Sequence, residues 1–389
     1  MRTELRGTAA LIAIGFSLAA CGGERAQAAD AQPADAVRWT LEPAPLVRIG
    51  ADEGGQSLHR VAAATRLADG CIAVANGGSH HVRVFGTDGA LIRDIGRVGD
   101  GPGEFRSLAW IGARGDTLVV WDIVASRISR FLSDGTFLTS VTPQGVGMFA
   151  QVVDAYPDGS LLFYSDLADA DMSALTDGVR RGRAVLLRVS AGGALMDTVA
   201  TVPATEQFVS RSEGGRGMRI ETLPFGRRTV TTLSGDALYV GTGEDAGIRV
   251  AGASGTMSGV LRVPSARKRV TDADIDAYWK NLVTVGERRG ARTGDVRPDG
   301  EIPYPNELPP YAALEADRAG RLWVAESRLP REWEQPATWW VFSPDRRLSA
   351  TIQLPPRVHV LEIGDDWILA REIGAEDREI VSLFRVRAP

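Results

Sequence analysis

Six polar residues end six similar β-prone segments, and they are the first candidates for chemistry: Asn76, Asp122, Ser165, Thr242, Glu326 and Arg371. The segments run from Ile72, Leu118, Leu161, Leu238, Leu322 and Trp367, each an apolar body with a polar end. If the segments surround a common axis, these tips meet at the mouth of a central channel. Oxygen-rich rings of that kind suit a hard cation such as Ca2+ or the polar groups of a small ligand. Asp122, Glu326 and Asn76 are the metal candidates, with Ca or Zn as the ion. The plainer roles are structural: Asp122 and Asn76 cap loops, and Glu326 and Arg371 form an ion pair.

Other chemistry is thinly represented. The histidines are His59, His80, His81 and His359, and neither HExxH, nor paired cysteines, nor a GxSxG elbow occurs. Gly99-Asp100-Gly101-Pro102-Gly103 lacks the strand-to-helix context and the following Lys-Ser/Thr of a phosphate loop, so it reads as a connection between repeats. These patterns imply no cofactor. Cys71 begins a strand and is expected to be a buried, inert thiol.

The elements that must position the tips follow from turn glycines. Gly70, Gly115, Gly159, Gly235, Gly320 and Gly364 each precede one of the six segments, at intervals of 45, 44, 76, 85 and 44. A third strand follows each segment, from Val82, Ile128, Ala184, Gly247, Trp339 and Ile380, and in five units a turn to a fourth. The sixth unit stops at Pro389, so Leu46 to Ile49 is expected to supply its missing strand and close the array, because open radial sheets leave unpaired edges. The expectation is an all-β, six-bladed β-propeller closed by an N-terminal strand. A seventh, degenerate blade over Thr201 to Arg228 is the competing layout.

The stretch Ala75-Asn76-Gly77-Gly78-Ser79-His80-His81-Val82-Arg83-Val84-Phe85, followed by Gly101-Pro102-Gly103-Glu104-Phe105, resembles the NHL repeats of six-bladed propellers, and it recurs at Trp121-Asp122, Ser126-Arg127-Ile128 and Arg130-Phe131. Asp122 keeps the aspartate usual in the family, and Asn76 replaces it. The resemblance implies the propeller fold and admits enzymes, since six-bladed propellers include lactonases and amidating lyases with a channel-centred metal. Nucleic-acid binding, known for some NHL proteins, conflicts with the net charge of -5 and with export.

Export is read from the start of the chain. Arg2 and Arg6 precede the apolar run Ala9 to Leu18, and Leu18-Ala19-Ala20-Cys21 resembles a bacterial lipoprotein box. The resemblance implies a signal peptide over 1–20, diacylation of Cys21, a flexible tether over 21–35, a propeller over 36–389 and delivery to the cell envelope, with the outer membrane favoured. The membrane is then a partner through the lipid.

Long insertions are expected at 166–183, 203–227, 264–310 and 327–337, all in the loop class that shares one face of a propeller. Rigid scaffolds present ligand-contacting residues on such loops. Thr271, Asp272 and Asp274, then Ile275, Tyr278, Leu282 and Val285, predict a helix over 272–285. Tyr278, Trp279 and Trp333 are the insertion-face contact candidates. Arg267, Lys268, Arg269, Arg288, Arg289 and Arg292 flank the helix as a basic rim. The functional expectation is a lipid-anchored envelope propeller that binds a protein, peptide or glycan on this face. The alternative is a metal-dependent, lactonase-like hydrolase or lyase.

Overall fold

A computed structural model describes residues 36–51, 56–166, 175–211, 217–252, 255–288, 301–374 and 378–389. Cys21, the 1–20 leader and the whole of the 21–35 tether lie outside the described residues, as do Arg289 and Arg292. Among the described residues no helix is long and apolar enough to cross a membrane.

The described residues form six antiparallel propeller-type blades, one separate small sheet, one α-helix and a short 3-10 helix, with Val37–Arg38 added as a parallel edge strand on the fifth blade. Blade 1 comprises Val61–Arg66, Ile72–Asn76, His81–Phe85 and Leu91–Ile95, and blade 2 comprises Leu108–Arg114, Thr117–Asp122, Arg127–Leu132 and Phe137–Val141. Blade 3 comprises Gln151–Ala155, Leu161–Ser165, Arg183–Val189 and Leu195–Pro203; blade 4 comprises Val230–Ser234, Ala237–Gly241, Gly247–Ala251 and Met257–Arg262. Blade 5 comprises Tyr311–Ala316, Leu322–Glu326, Ala337–Phe342 and Leu348–Leu354. Blade 6 has Val358–Ile363, Trp367–Ile373 and Glu379–Arg387, and Val47–Ile49 pairs antiparallel with the last of these, Ile49 opposite Val381.

Strand-forming residues and tight turns explain this order. Ile72, Val74, Val82 and Val84 are β-branched and completely or almost completely buried, and Gly89 reverses the chain at φ +81. A Cβ on Gly89 would lie 3.1 Å from the Arg48 carbonyl oxygen, so glycine also lets the N-terminal strand pass close to blade 1.

Six apolar cores fill the spaces between neighbouring blades. One of them joins Val47, Ile49, Trp367 and Leu383 of blade 6 to Val61, Ile72 and Phe85 of blade 1. Each fully buried large side chain in these cores stabilises the fold by roughly 1.5–3 kcal/mol.

The expected insertions carry more regular structure than their polar composition suggested. Gly178–Arg180 pairs with Gln207–Arg211, which pairs with Met218–Thr222, so the insertions at 166–183 and 203–227 share a three-stranded sheet. Among the described residues that sheet pairs with no blade, and it corrects both the strand-poor reading and the seventh-blade layout. Helix α1, Asp272–Arg288, starts where Thr271 places its hydroxyl 2.6 Å from the Asp274 carboxylate. Asp274 also pairs with Arg331, which ties the helix to the insertion at 327–337.

Candidate functional site in the axial cavity

The strand tips do not form a common site. The register fixes their equivalence: Ile72, Leu118, Leu161, Leu238, Leu322 and Ile368 face Phe85, Phe131, Val189, Ala251, Phe342 and Phe384. Counting forward, the blade 6 counterpart of Asn76 is Glu372, and Arg371 falls one residue short. The longer Asp365-Asp366 turn causes this shift, which gapless sequence alignment misses.

None of Asn76, Asp122, Ser165, Thr242, Glu326 and Arg371 lines the axial cavity. The Asp122 carboxylate accepts from the backbone N–H of Arg106 (2.5 Å), Ser107 (3.1 Å), Val124 (3.1 Å) and Ala125 (2.8 Å). Asn76 accepts from His59 N–H at 2.8 Å and donates to Ser79 Oγ at 2.9 Å. Both are loop caps. Thr242 is buried, and Ser165 is buried with its hydroxyl unpartnered among the described residues.

Glu326 and Arg371 do not pair with each other. Glu326 lies 3.1 Å from Lys268 Nζ, while Arg371 donates to the Val61 carbonyl at 2.9 Å and stands 3.6 Å from Glu379. With their polar atoms engaged this way, Asp122, Glu326 and Asn76 do not fit a shared metal. Among the described residues no group of three His, Cys, Asp or Glu could hold one.

The insertion aromatics pack on one another. Trp279 is buried and its indole N–H donates to the Tyr304 hydroxyl at 2.7 Å. Tyr278 stacks at 5.3 Å from Phe225 and 6.2 Å from Trp333, with Phe208, Leu223 and Ile302 beneath. Trp279 is therefore a core residue, and Tyr278 and Trp333 are half-buried. Lys268 is spent on Glu326 and Glu332, which dismantles part of the expected basic rim. Cys71 is half-buried, so its expected full burial is corrected, and burial with the nearby Asp69 raises its pKa.

The structure instead places a cavity of about 740 Å3 along the axis, lined by the innermost strands of all six blades. One level of it is polar. Thr65, Gly112, Asp154, Thr232, Glu315 and Glu362 occupy equivalent positions, facing Ala73, Val119, Leu162, Tyr239, Trp323 and Leu369 of the second strands. This level lies near the ends of the first strands, toward the short turns, and none of the described insertion residues lines the cavity.

The three carboxyls differ in their surroundings. Glu362 accepts from Arg66 N–H at 2.7 Å and from Arg318 at 2.8 Å. Burial pushes Glu315 up to about 8, with Asp154 and Glu362 adding like charge. Burial likewise raises Asp154 to about 6, against a hydrogen bond from Ala155 N–H. The lumen wets both side chains while protein walls surround them, so neither is fully covered yet both are poorly solvated. Of these two raised carboxyls, Glu315 is held the more strongly toward its protonated form. His359 also lines the lumen, and burial with Arg371 nearby lowers its pKa.

Convergent polar groups with displaced pKa values inside one cavity make it the candidate functional site. Sequence reasoning missed it by looking at the second strands. A signal existed: Thr65, Asp154 and Glu315 each stand five residues before a turn glycine, Gly70, Gly159 and Gly320.

Comparison with known proteins agrees on the fold. Residues 58–173 match the model of the DUF5128 family, described as a six-bladed β-propeller. A Bacteroides vulgatus protein of the DUF4221 family superposes with a TM-score of 0.51 at 10% identity, covering 91% of this chain and 99% of that one. A Bacteroides fragilis protein predicted to be exported gives 0.49 at 14% identity over 93% and 98%. Virginiamycin B lyase from Staphylococcus aureus gives 0.42 at 11% identity over 89% and 99%. No curated protein matches. The chain is a six-bladed β-propeller in class, and at these identities no activity passes from any of these proteins to it.

Proposed function

We propose that this chain is an exported, lipid-anchored binding propeller that takes a small polar ligand into its axial cavity from the face of the short turns. The polar level of Thr65, Asp154, Thr232, Glu315 and Glu362 carries this reading, because it sets donors, acceptors and charge around one lumen. Cavities of this volume bury most of a small ligand and need few polar groups to orient it. The signal-like start and Cys21 support an envelope address, with the outer membrane as its destination. Loss of lipid labelling in Cys21→Ser would support the anchor, and unchanged labelling would remove it.

The N-terminal strand is part of the same proposal. Val47–Ile49 completes blade 6 and lets it pack on blade 1, so the ring is closed noncovalently and the cavity keeps a fixed shape. A thermal-shift screen of sugars, amino acids and small organic acids tests the binding claim. At least one compound should raise the Tm of the wild type, and Thr232→Trp, which fills the lumen, or the milder Glu315→Gln should abolish the shift. A panel without any shift, or shifts untouched by both variants, would contradict it.

A second reading places a protein, peptide or glycan partner on the insertion face. The half-buried cluster of Tyr278, Phe225, Tyr304 and Trp333 favours it, since such rings retain a face for stacking. Tyr278→Ala and Trp333→Ala should weaken that partner while leaving cavity ligands unaffected.

A further inference from the structure

We propose that Arg130 heads an oxyanion subsite in a side lobe of the cavity, so that the ligand carries a carboxylate or phosphate group. The inference rests on the cavity being a binding site, and it adds the ligand's charge.

The lobe is visible in the lining. Elsewhere the cavity is bounded by first strands and the turns that follow them. Between blades 2 and 3 it also reaches Thr117 and Val119 of a second strand, Arg130 of a third strand and Ala191 of an outer turn. Gly112, Val119 and Arg130 are in register across blade 2. Gly112 has no side chain to offer the lumen, and a Cβ there would lie 2.4 Å from Cη2 of Trp110, whose ring folds across it. The level that carries Asp154, Glu315 and Glu362 on other blades is thus left to Arg130 on this one.

The arginine itself is unusual. Nη1 and Nη2 are both buried and have no hydrogen-bond partner among the described residues. The other arginines of the lining are engaged: Arg114 donates to the Pro157 carbonyl at 2.6 Å, and Arg318 to Glu362 at 2.8 Å. Burial lowers the pKa of Arg130 without an opposing carboxylate. An unpaired buried cation is strongly unfavourable, and two free Nη groups match the paired oxygens of an oxyanion. The acidic groups of the polar level then face the remainder of the ligand, where Glu315, held toward its protonated form by burial, donates to an acceptor.

The test uses the whole mature chain in Tris chloride, with sodium acetate, sodium benzoate and inorganic phosphate as probes. Calorimetric titration and thermal shift are read for wild type, Arg130→Met and Arg130→Lys. An oxyanion should bind the wild type, Arg130→Met should weaken it at least about tenfold, and Arg130→Lys should fall between them. Preference for the carboxylates or for phosphate identifies the group. Arg130→Met should also raise the Tm of the unliganded protein, because it replaces an unpaired charge by an apolar chain. Equal binding by wild type and Arg130→Met, or no binding of any probe to the wild type, overturns the subsite. If a neutral compound still binds, with Glu315→Gln abolishing it and Arg130→Met not, the cavity reading survives and only the oxyanion is lost.

Discussion

Arg318 of blade 5 holds Glu362 of blade 6 at 2.8 Å, and the same nitrogen reaches the Arg66 carbonyl of blade 1 at 2.7 Å. One guanidinium thereby ties three blades together at the short-turn end of the cavity. It also compensates one carboxylate of the polar level, whereas Glu315 has no such partner among the described residues.

That asymmetry has a pH signature. Burial pushes Glu315 up to about 8 from the ordinary 4.5, and Asp154 up to about 6 from 3.8. The folded state binds these protons more tightly, so their contribution is full below the unfolded values and is lost as pH rises through the folded ones. Stability should therefore fall between pH about 4.5 and about 8 through Glu315. Glu315→Gln should flatten this decline, raising Tm at alkaline pH and leaving it nearly unchanged at acid pH. A wild-type profile that rises across this interval, with no effect of Glu315→Gln, would contradict the assignment.

Asp122 should matter for stability and little for binding. Four backbone N–H groups point at its carboxylate, and Asp122→Ala leaves them facing a void. Chemical denaturation should show a loss of about 3 kcal/mol, with cavity ligands bound at near wild-type affinity. Normal stability together with lost binding would return Asp122 to the site.

Trp279 should anchor the insertion platform. Trp279→Ala removes a buried ring and its hydrogen bond to Tyr304, worth about 3–5 kcal/mol locally. Hydrogen exchange should accelerate across α1 while strands such as Ile72–Asn76 keep their protection. Uniform acceleration through all blades would show that the platform is not a separate unit.

Ile49 tests the contact between blades 6 and 1. It is 1% exposed, pairs with Val381 and sits in the core shared by blades 6 and 1. Ile49→Ala should destabilise by about 2–5 kcal/mol, and Ile49→Asp should abolish cooperative unfolding. An unfolding transition for Ile49→Asp as sharp as that of the wild type would show that Val47–Ile49 is dispensable.

The blades were legible in the sequence because strand and turn signals there are local. Runs such as Ile72-Ala-Val-Ala next to Gly70 need no tertiary information, and Thr271 with Asp274 announced α1. The site was not legible for a physical reason. First strands in blades 1, 2, 3, 5 and 6 carry bulges, at Val61/Ala63 and Val360/Glu362 for example, and a bulge breaks the two-residue alternation that tells which side chains face the lumen. The one-residue lengthening at Asp365-Asp366 similarly displaced Arg371. Pairing between Gly178–Arg180 and Gln207–Arg211 joins distant segments, so their individual polarity concealed it.

The most direct measurement is a crystal structure of the mature protein with a compound that raises its Tm. Density in the axial cavity, in hydrogen-bond contact with Glu315 and paired with Arg130, is the expected result. Density confined to Tyr278 and Trp333 on the insertion platform, with the cavity holding only water, would contradict the account.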